Sequence, residues 1–421
     1  MSRYSGKNYK GFVQPMTAPH RSGHYPALDG LRGIAILLVM MMHYLCVFEP
    51  WTLIDNLATK AAGLGWMGVD LFFALSGFLI TGILLDTKQS PSYWRTFVAR
   101  RAARIFPLYF LYVGAVAVTA YWISPRLPGS EQWIEAQGWY WSYLVNFFIA
   151  GQGDWASVPL HTGQLWSLAI EEQFYLIWPL LVLKLSREAL LKVSLCVVSA
   201  ALTLRIGLSV GDVNPVAIFV LTPTRVDALV AGAIVAILVR SGVEARAWPI
   251  FTGGAIVLAV ILLQASTSQY KPLMQTIGFS ALSLTFAGVI HWVVQHGNRP
   301  LSAPVLQFFG RYSYALYLLH GFAMVSVMEL WPIAESHNIV IHWIVLRALL
   351  ATGLAVAFAL ASWHLIEKWF LALKPSYEKE QTAGTEAEMV GAAGIGGVST
   401  TMSRGPLAGT YQIFCVRGGL H

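Results

Sequence analysis

Long apolar runs recur along the chain, separated by short polar or basic breaks. They lie near residues 27–48, 66–86, 105–123, 166–184, 190–210, 217–240, 248–265, 273–295, 306–329 and 339–366. Each approaches the roughly 20 residues that a helix needs to cross about 30 Å of hydrocarbon. No stretch alternates with period two over strand lengths, which argues against a β-barrel. The pattern predicts an all-α, polytopic membrane helical bundle of about ten transmembrane helices. The apolar stretch 139–150 is too short to span and is expected to be interfacial or re-entrant.

Composition agrees with this reading. Of 421 residues, 56% are hydrophobic and 12% charged, and the mean hydropathy is +0.58; soluble domains carry about 25% charge. The net charge of +7 does not indicate nucleic-acid binding, because the basic residues gather in short loops as the positive-inside rule requires. Lys88, Arg95, Arg100, Arg101 and Arg104 follow the second helix, and Lys184, Arg187 and Lys192 follow the one carrying Glu171. Both loops are expected on the cytoplasmic side, with 124–165 outside. Arg240 with Arg246, Arg299, and Lys368 with Lys374 continue the alternation and place both termini in the cytoplasm. Three units are expected: a cytoplasmic N-terminal segment (1–24), a transmembrane domain (25–370), and a polar, Gly- and Ala-rich cytoplasmic tail (371–421) that cannot bury a core. A basic N-terminus without a cleavable apolar segment suggests that the first helix stays as an anchor in a bacterial inner membrane. Cys46, Cys196 and Cys415 are scattered, and no disulfide or metal framework is visible.

The ionisable residues inside the apolar runs carry the chemistry. Arg32 and His43 are about 11 residues apart, close to three helical turns and roughly 16 Å of rise, so they share one stripe at two depths. Asp29 lies close to that stripe. Such groups are costly in a membrane and tend to be retained for function. A neutral imidazole suits a general base, and an arginine near the inner face suits a phosphate-rich ligand. The alternative is a snorkelling arginine and a packed histidine. In Arg100-Arg101-Ala102-Ala103-Arg104, Arg100 and Arg104 are spaced i, i+4 and could converge on a phosphate, or form only a positive-inside flank. Ser167, Glu171 and Gln173 read as a hydroxyl-binding or base-orienting surface, while Glu172 could cap the helix N-terminus. Asp70 reads as functional or pairing, Ser76 as a helix-contact hydroxyl. Arg225 and Asp227 follow a helix-breaking Pro223 and could form a structural ion pair. His320 reads by default as a packed histidine.

Taken in order, Leu28 to His43 with its R-x10-H spacing, Gly68 to Phe78, Arg100 to Pro107, Trp166 to Tyr175, Thr222 to Gly232, Tyr312 to His320 and Ser362 to Lys368 resemble the acyltransferase family 3 of integral membrane proteins. The resemblance covers roughly residues 24–370. Trp369 departs from it, where the family usually has proline, without touching a candidate site residue. No fused esterase-like domain is expected. The resemblance implies transfer of an acyl group, usually acetyl, from cytoplasmic acyl-CoA to a hydroxyl of a glycan or lipid-linked sugar acceptor, with acyl-CoA as co-substrate and no bound cofactor or metal. Arg32, Arg100, Arg101 and Arg104 would hold the donor. His43 would act as general base with Glu171 and Ser167 beside it, or carry the acyl group as an acyl-histidine. Asp29, Asp70, Ser76, Gln173, Arg225, Asp227 and His320 would support them. A proton-coupled transporter would use the same intramembrane charges, although two matching hydrophobic halves are missing; a non-catalytic scaffold would leave them unexplained.

Overall fold

The computed structural model describes residues 25–45, 53–123, 129–242, 248–264, 268–330 and 341–373, and among these helix dominates and no strand occurs. The segment 1–24, Cys46, Arg246 and the chain from 374 onward, including Cys415, lie outside the described residues. In chain order the helices are α1 (Pro26–Leu45), α2 (Leu53–Gly63), α3 (Met67–Asp86), α4 (Tyr93–Val118), α5 (Ser130–Trp141), α6 (Val145–Gln152), α7 (Leu165–Lys184) and α8 (Arg187–Val210). They continue as α9 (Pro215–Val220), α10 (Thr222–Ser241), α11 (Trp248–Gln264), α12 (Phe279–His296), α13 (Pro304–Arg311), α14 (Ser313–Leu330), α15 (Ile341–Ser362) and α16 (Lys368–Ala372). Among the described residues the apolar runs are helical, with single-residue breaks at Leu221 and Tyr312. Seven helical stretches are both long and apolar enough to cross a membrane. Helices α11 and α14 are apolar over shorter lengths, and the Glu171-Glu172-Gln173 triplet dilutes the hydropathy of α7. The 139–150 stretch is split between α5 and α6, neither of which has the length to span. Tyr143 makes the break with φ 56°, and its ring is braced by stacking on Tyr109 at 4.0 Å between centroids.

Helix α3 is the centre of the bundle. It is buried nearly all round and packs along α10, with α1 and α12 on its flanks. Apolar side chains supply no net drive for two helices to associate in lipid, so close approach through small residues does that work. Gly77 of α3 lies against the Leu229 backbone, and Gly232 of α10 lies reciprocally against the Ala74 backbone. A Cβ at Gly232 would overlap the Ala74 carbonyl oxygen. We expect Gly232→Ala to separate α3 from α10 and cost at least about 1–3 kcal/mol, measured as a lower thermal midpoint in detergent. Gly310 seats α13 against the backbone of Asp29 in the same way, which holds the N-terminal end of α1 in place.

Two buried ion pairs also cross α10. Arg225 donates to Asp70 of α3 at 2.7 Å, and Arg205 of α8 donates to Asp227 at 2.8 Å. The expected pairing of Arg225 with Asp227 does not form. Residues i and i+2 point about 200° apart on a helix, so each reaches a different neighbour. Phe279 of α12 lies under the Arg225 guanidinium at 4.0 Å from the ring centroid.

Candidate active site

Two cavities adjoin inside the bundle. The first is walled by α1, α3, α4, α7 and α14. Arg32, Arg101 and Arg104 face it, together with Glu171, Tyr175, Ser76 and Ser167. Its polar floor is a short chain of hydroxyls. Tyr175 donates to Glu171 Oε2 at 3.0 Å, and the Ser76 and Tyr175 hydroxyls bond to each other. The Arg101 guanidinium lies 5.8 Å from the Tyr175 ring centroid. Three guanidiniums against one carboxylate leave the chamber with an excess of positive charge. Their fork geometry matches phosphate oxygens.

The second cavity is lined by His43 of α1, His320 of α14, and aromatic side chains that include Trp66, Trp166 and Phe219. His43 Nδ1 donates to the Val39 carbonyl at 2.8 Å, and His320 Nδ1 donates to the Tyr317 carbonyl at 2.7 Å. A carbonyl oxygen can only accept, so each neutral ring keeps its hydrogen on Nδ1. The lone pair is then on Nε2, where a base needs it. The two rings meet edge to face with centroids 4.8 Å apart. Over this cavity Trp155 donates to the Tyr270 hydroxyl at 2.5 Å. The loop that carries Trp155 is shaped by Asp154, which accepts from the Ser157 amide at 2.7 Å and the Ser157 hydroxyl at 2.8 Å. Those bonds hold the exposed Asp154 carboxyl below its ordinary range.

The structure sorts the candidate residues. The Arg32–His43 stripe reaches both cavities, with Arg32 in the first and His43 in the second. Ser167 and Glu171 are therefore not beside His43 but across a partition, in the arginine chamber. Arg101 and Arg104 line that chamber, spaced i, i+3, and Arg100 does not. His320 is buried and packed against the His43 ring, as the default reading predicts, and it also borders the second cavity. Gln173 turns its back on both: it donates to the Tyr143 carbonyl at 2.9 Å and to Asn146 at 3.0 Å, and accepts from Thr222 at 2.5 Å. Two residues beyond Glu171 is more than half a turn of helix, so Gln173 ties α7 to α6 and α10 instead of joining the Ser167–Glu171 face. Asp29, Asp70, Arg225 and Asp227 line neither cavity; the last three form the buried ion pairs. The sequence reading omits Tyr175, Tyr317 and Arg205. Tyr175 stands four residues after Glu171, and that i, i+4 step is a signal for it. Tyr317, three residues before His320, and Arg205, inside the apolar α8, carry no comparable mark.

An all-α membrane bundle enclosing a cationic chamber and a histidine chamber is the class of protein that the fold and site define. The chain belongs to the acyltransferase family: residues 25–363 match the family described as Acyltransferase domain. It is 28% identical over 387 residues to a protein of Bacillus subtilis (strain 168) named "Putative peptidoglycan O-acetyltransferase YrhL", a match covering 83% of this chain and 56% of that protein. It is 26% identical over 337 residues to the peptidoglycan O-acetyltransferase OatA of Listeria monocytogenes, covering 72% of this chain and 50% of OatA. The chain thus matches only about half the length of these relatives. No solved structure matches it.

Proposed function

We propose that this protein moves an acyl group, acetyl in the first instance, from cytoplasmic acyl-CoA to a hydroxyl of a glycan acceptor on the outer side of a bacterial inner membrane. The observation that carries this reading is the pair of adjoining cavities with complementary chemistry. One holds three arginines suited to a phosphate-rich donor. The other holds histidines with Nε2 lone pairs, in an aromatic pocket suited to an organic acceptor. The basic loops after α3 and α7 favour the cytoplasm, and with it both chain termini on that side. The names of the two relatives make a peptidoglycan glycan fragment the first acceptor to try.

In this reading Arg32, Arg101 and Arg104 grip the donor phosphates and Arg100 adds to the basic rim. Ser76, Tyr175, Glu171 and Ser167 offer hydroxyl and carboxylate contacts along the donor's path. His43 Nε2 takes the proton of the acceptor hydroxyl as that oxygen attacks the thioester carbonyl; the C–S bond then breaks and the proton passes to the departing thiolate. An acyl-histidine formed on the same nitrogen is the other route. The test is thiol release from acetyl-CoA by purified protein, with and without the glycan fragment. Acceptor-dependent release supports the reading, and no release with any hydroxyl acceptor ends it. Arg104→Lys keeps the charge but loses the fork. We expect the donor KM to rise while acceptor KM holds; unchanged donor kinetics in the folded variant would assign Arg104 to topology alone.

A further inference from the structure

The two cavities share a wall, and that wall has chemistry of its own. Two side chains border both spaces, Val69 of α3 and Tyr317 of α14. Val69 is an inert partition, but Tyr317 is fastened. Its hydroxyl is 2.5 Å from Ser167 Oγ and donates to the Gln164 carbonyl at 3.1 Å. Its ring meets Phe72 edge to face at 6.0 Å and His320 at a tilt at 5.9 Å between centroids. One hydroxyl bonds α14 to the N-terminal turn of α7, and one ring fills the gap between the arginine chamber and the histidine chamber.

A base and a thioester on opposite sides of a tyrosine ring cannot react. Proton abstraction and acyl transfer need heavy atoms within about 3–3.5 Å of one another. Tyr317 and Val69 are the side chains common to the two linings, so a donor held by the arginines and an acceptor held beside His43 would meet past the Tyr317 ring. Resting on the donor and acceptor assignment above, we infer that Tyr317 is a shutter between donor and acceptor, a positioning residue that keeps the thioester away from His43 and from water in the outer cavity until the acceptor is seated. Water is a competing acceptor in any acyl transfer, and exclusion of water from a reactive intermediate is a recurrent reason for closing a site. Loss of the shutter allows a defined side reaction. A water oxygen attacks the thioester carbonyl, its proton passes to His43 Nε2, the C–S bond breaks, and the proton ends on the CoA thiolate. Carboxylate and free thiol are the products, the second water proton leaving to solvent, and no acceptor is consumed.

The experiment measures two quantities on the full chain in detergent or nanodiscs with acetyl-CoA: thiol released, and acetyl transferred to the glycan fragment. Wild type is expected to release thiol over many turnovers only with acceptor present, at a ratio near one released per one transferred. Tyr317→Ala is expected to release thiol without acceptor about 10²-fold faster than wild type, the low end of what a positioned general base contributes. That release must vanish in the Tyr317→Ala/His43→Ala double variant. Tyr317→Phe keeps the ring and loses the fastening bonds, so its ratio is expected to stay near one whatever its rate, an outcome that general damage to the fold would not produce. If Tyr317→Ala does not fold, Val69→Ala thins the same wall and must raise the ratio of release to transfer. A folded Tyr317→Ala or Val69→Ala protein whose thiol release stays acceptor-dependent, at a ratio near one, overturns the shutter while leaving the transferase reading intact. Wild-type protein that neither binds acetyl-CoA nor releases thiol removes the transferase reading and the shutter with it.

Discussion

His43→Ala is expected to abolish measurable acyl transfer while leaving acyl-CoA binding largely unchanged. A hydroxyl is a poor nucleophile until its proton is taken, and imidazole is the side chain matched to that task near neutral pH. In the proposed role, the bond to Val39 at 2.8 Å commits Nδ1 and leaves Nε2 as the acceptor. Loss of a positioned general base costs about 10²–10⁴-fold in rate. Donor binding should survive, because the arginines proposed to hold the donor line the other cavity. The measurement is a pair of assays on one preparation, acetyl transfer to the glycan fragment and acetyl-CoA binding by calorimetry. A single-turnover experiment with labelled acetyl-CoA and no acceptor separates the two routes, since an acyl-histidine retains label on His43 and a general base does not. If His43→Ala transfers at close to the wild-type rate, both routes fail. His320, 4.8 Å away between ring centroids, then becomes the next residue to replace.

Arg225→Ala is expected to be the most damaging single substitution for the fold. It strands Asp70, whose side chain is 1% exposed and whose Oδ1 loses its 2.7 Å partner. A buried charge left without its partner costs about 3–5 kcal/mol, roughly 10²–10⁴-fold in the ratio of folded to unfolded protein. The loss extends to packing, because the Arg225 guanidinium also lies 4.0 Å from the Phe279 centroid and 5.0 Å from that of Phe219. Phe219 in turn walls the histidine cavity. Replacing both partners by apolar residues of similar size, as in Asp70→Leu/Arg225→Met, removes the unpaired charge and should recover much of the stability. Thermal midpoints in detergent for the two single variants and the double variant give the comparison. A double variant as unstable as Arg225→Ala would show that cation–π packing, rather than the charge pair, carries the effect.

Much of this architecture is legible without coordinates. Apolar runs of membrane length specify the helices, because a backbone in lipid must satisfy its own hydrogen bonds. The helical period places Arg32 and His43 on one stripe at two depths, and Ser167 and Glu171 on one face of α7. Tyr175 was equally legible by the same i, i+4 step. Gln173 shows the limit of reading a polar cluster as one surface: two residues of sequence turn it toward Asn146 and Thr222. Arg225 and Asp227 show it again, two residues apart in sequence yet paired to α3 and α8.

The sequence by itself determined the helices and the faces they carry, because these follow from local periodicity and hydropathy, and the order of its motifs carried the resemblance to the family. It left open which face meets which. That was decided by contacts between distant segments: Gly77 against Leu229, Gly232 against Ala74 and Gly310 against Asp29 set the helix positions. Only with those positions set do Arg32 and His43 open into different cavities. Tyr317 of α14, which no local pattern distinguishes, then comes to stand between them, bonded to a serine 150 residues away in the chain.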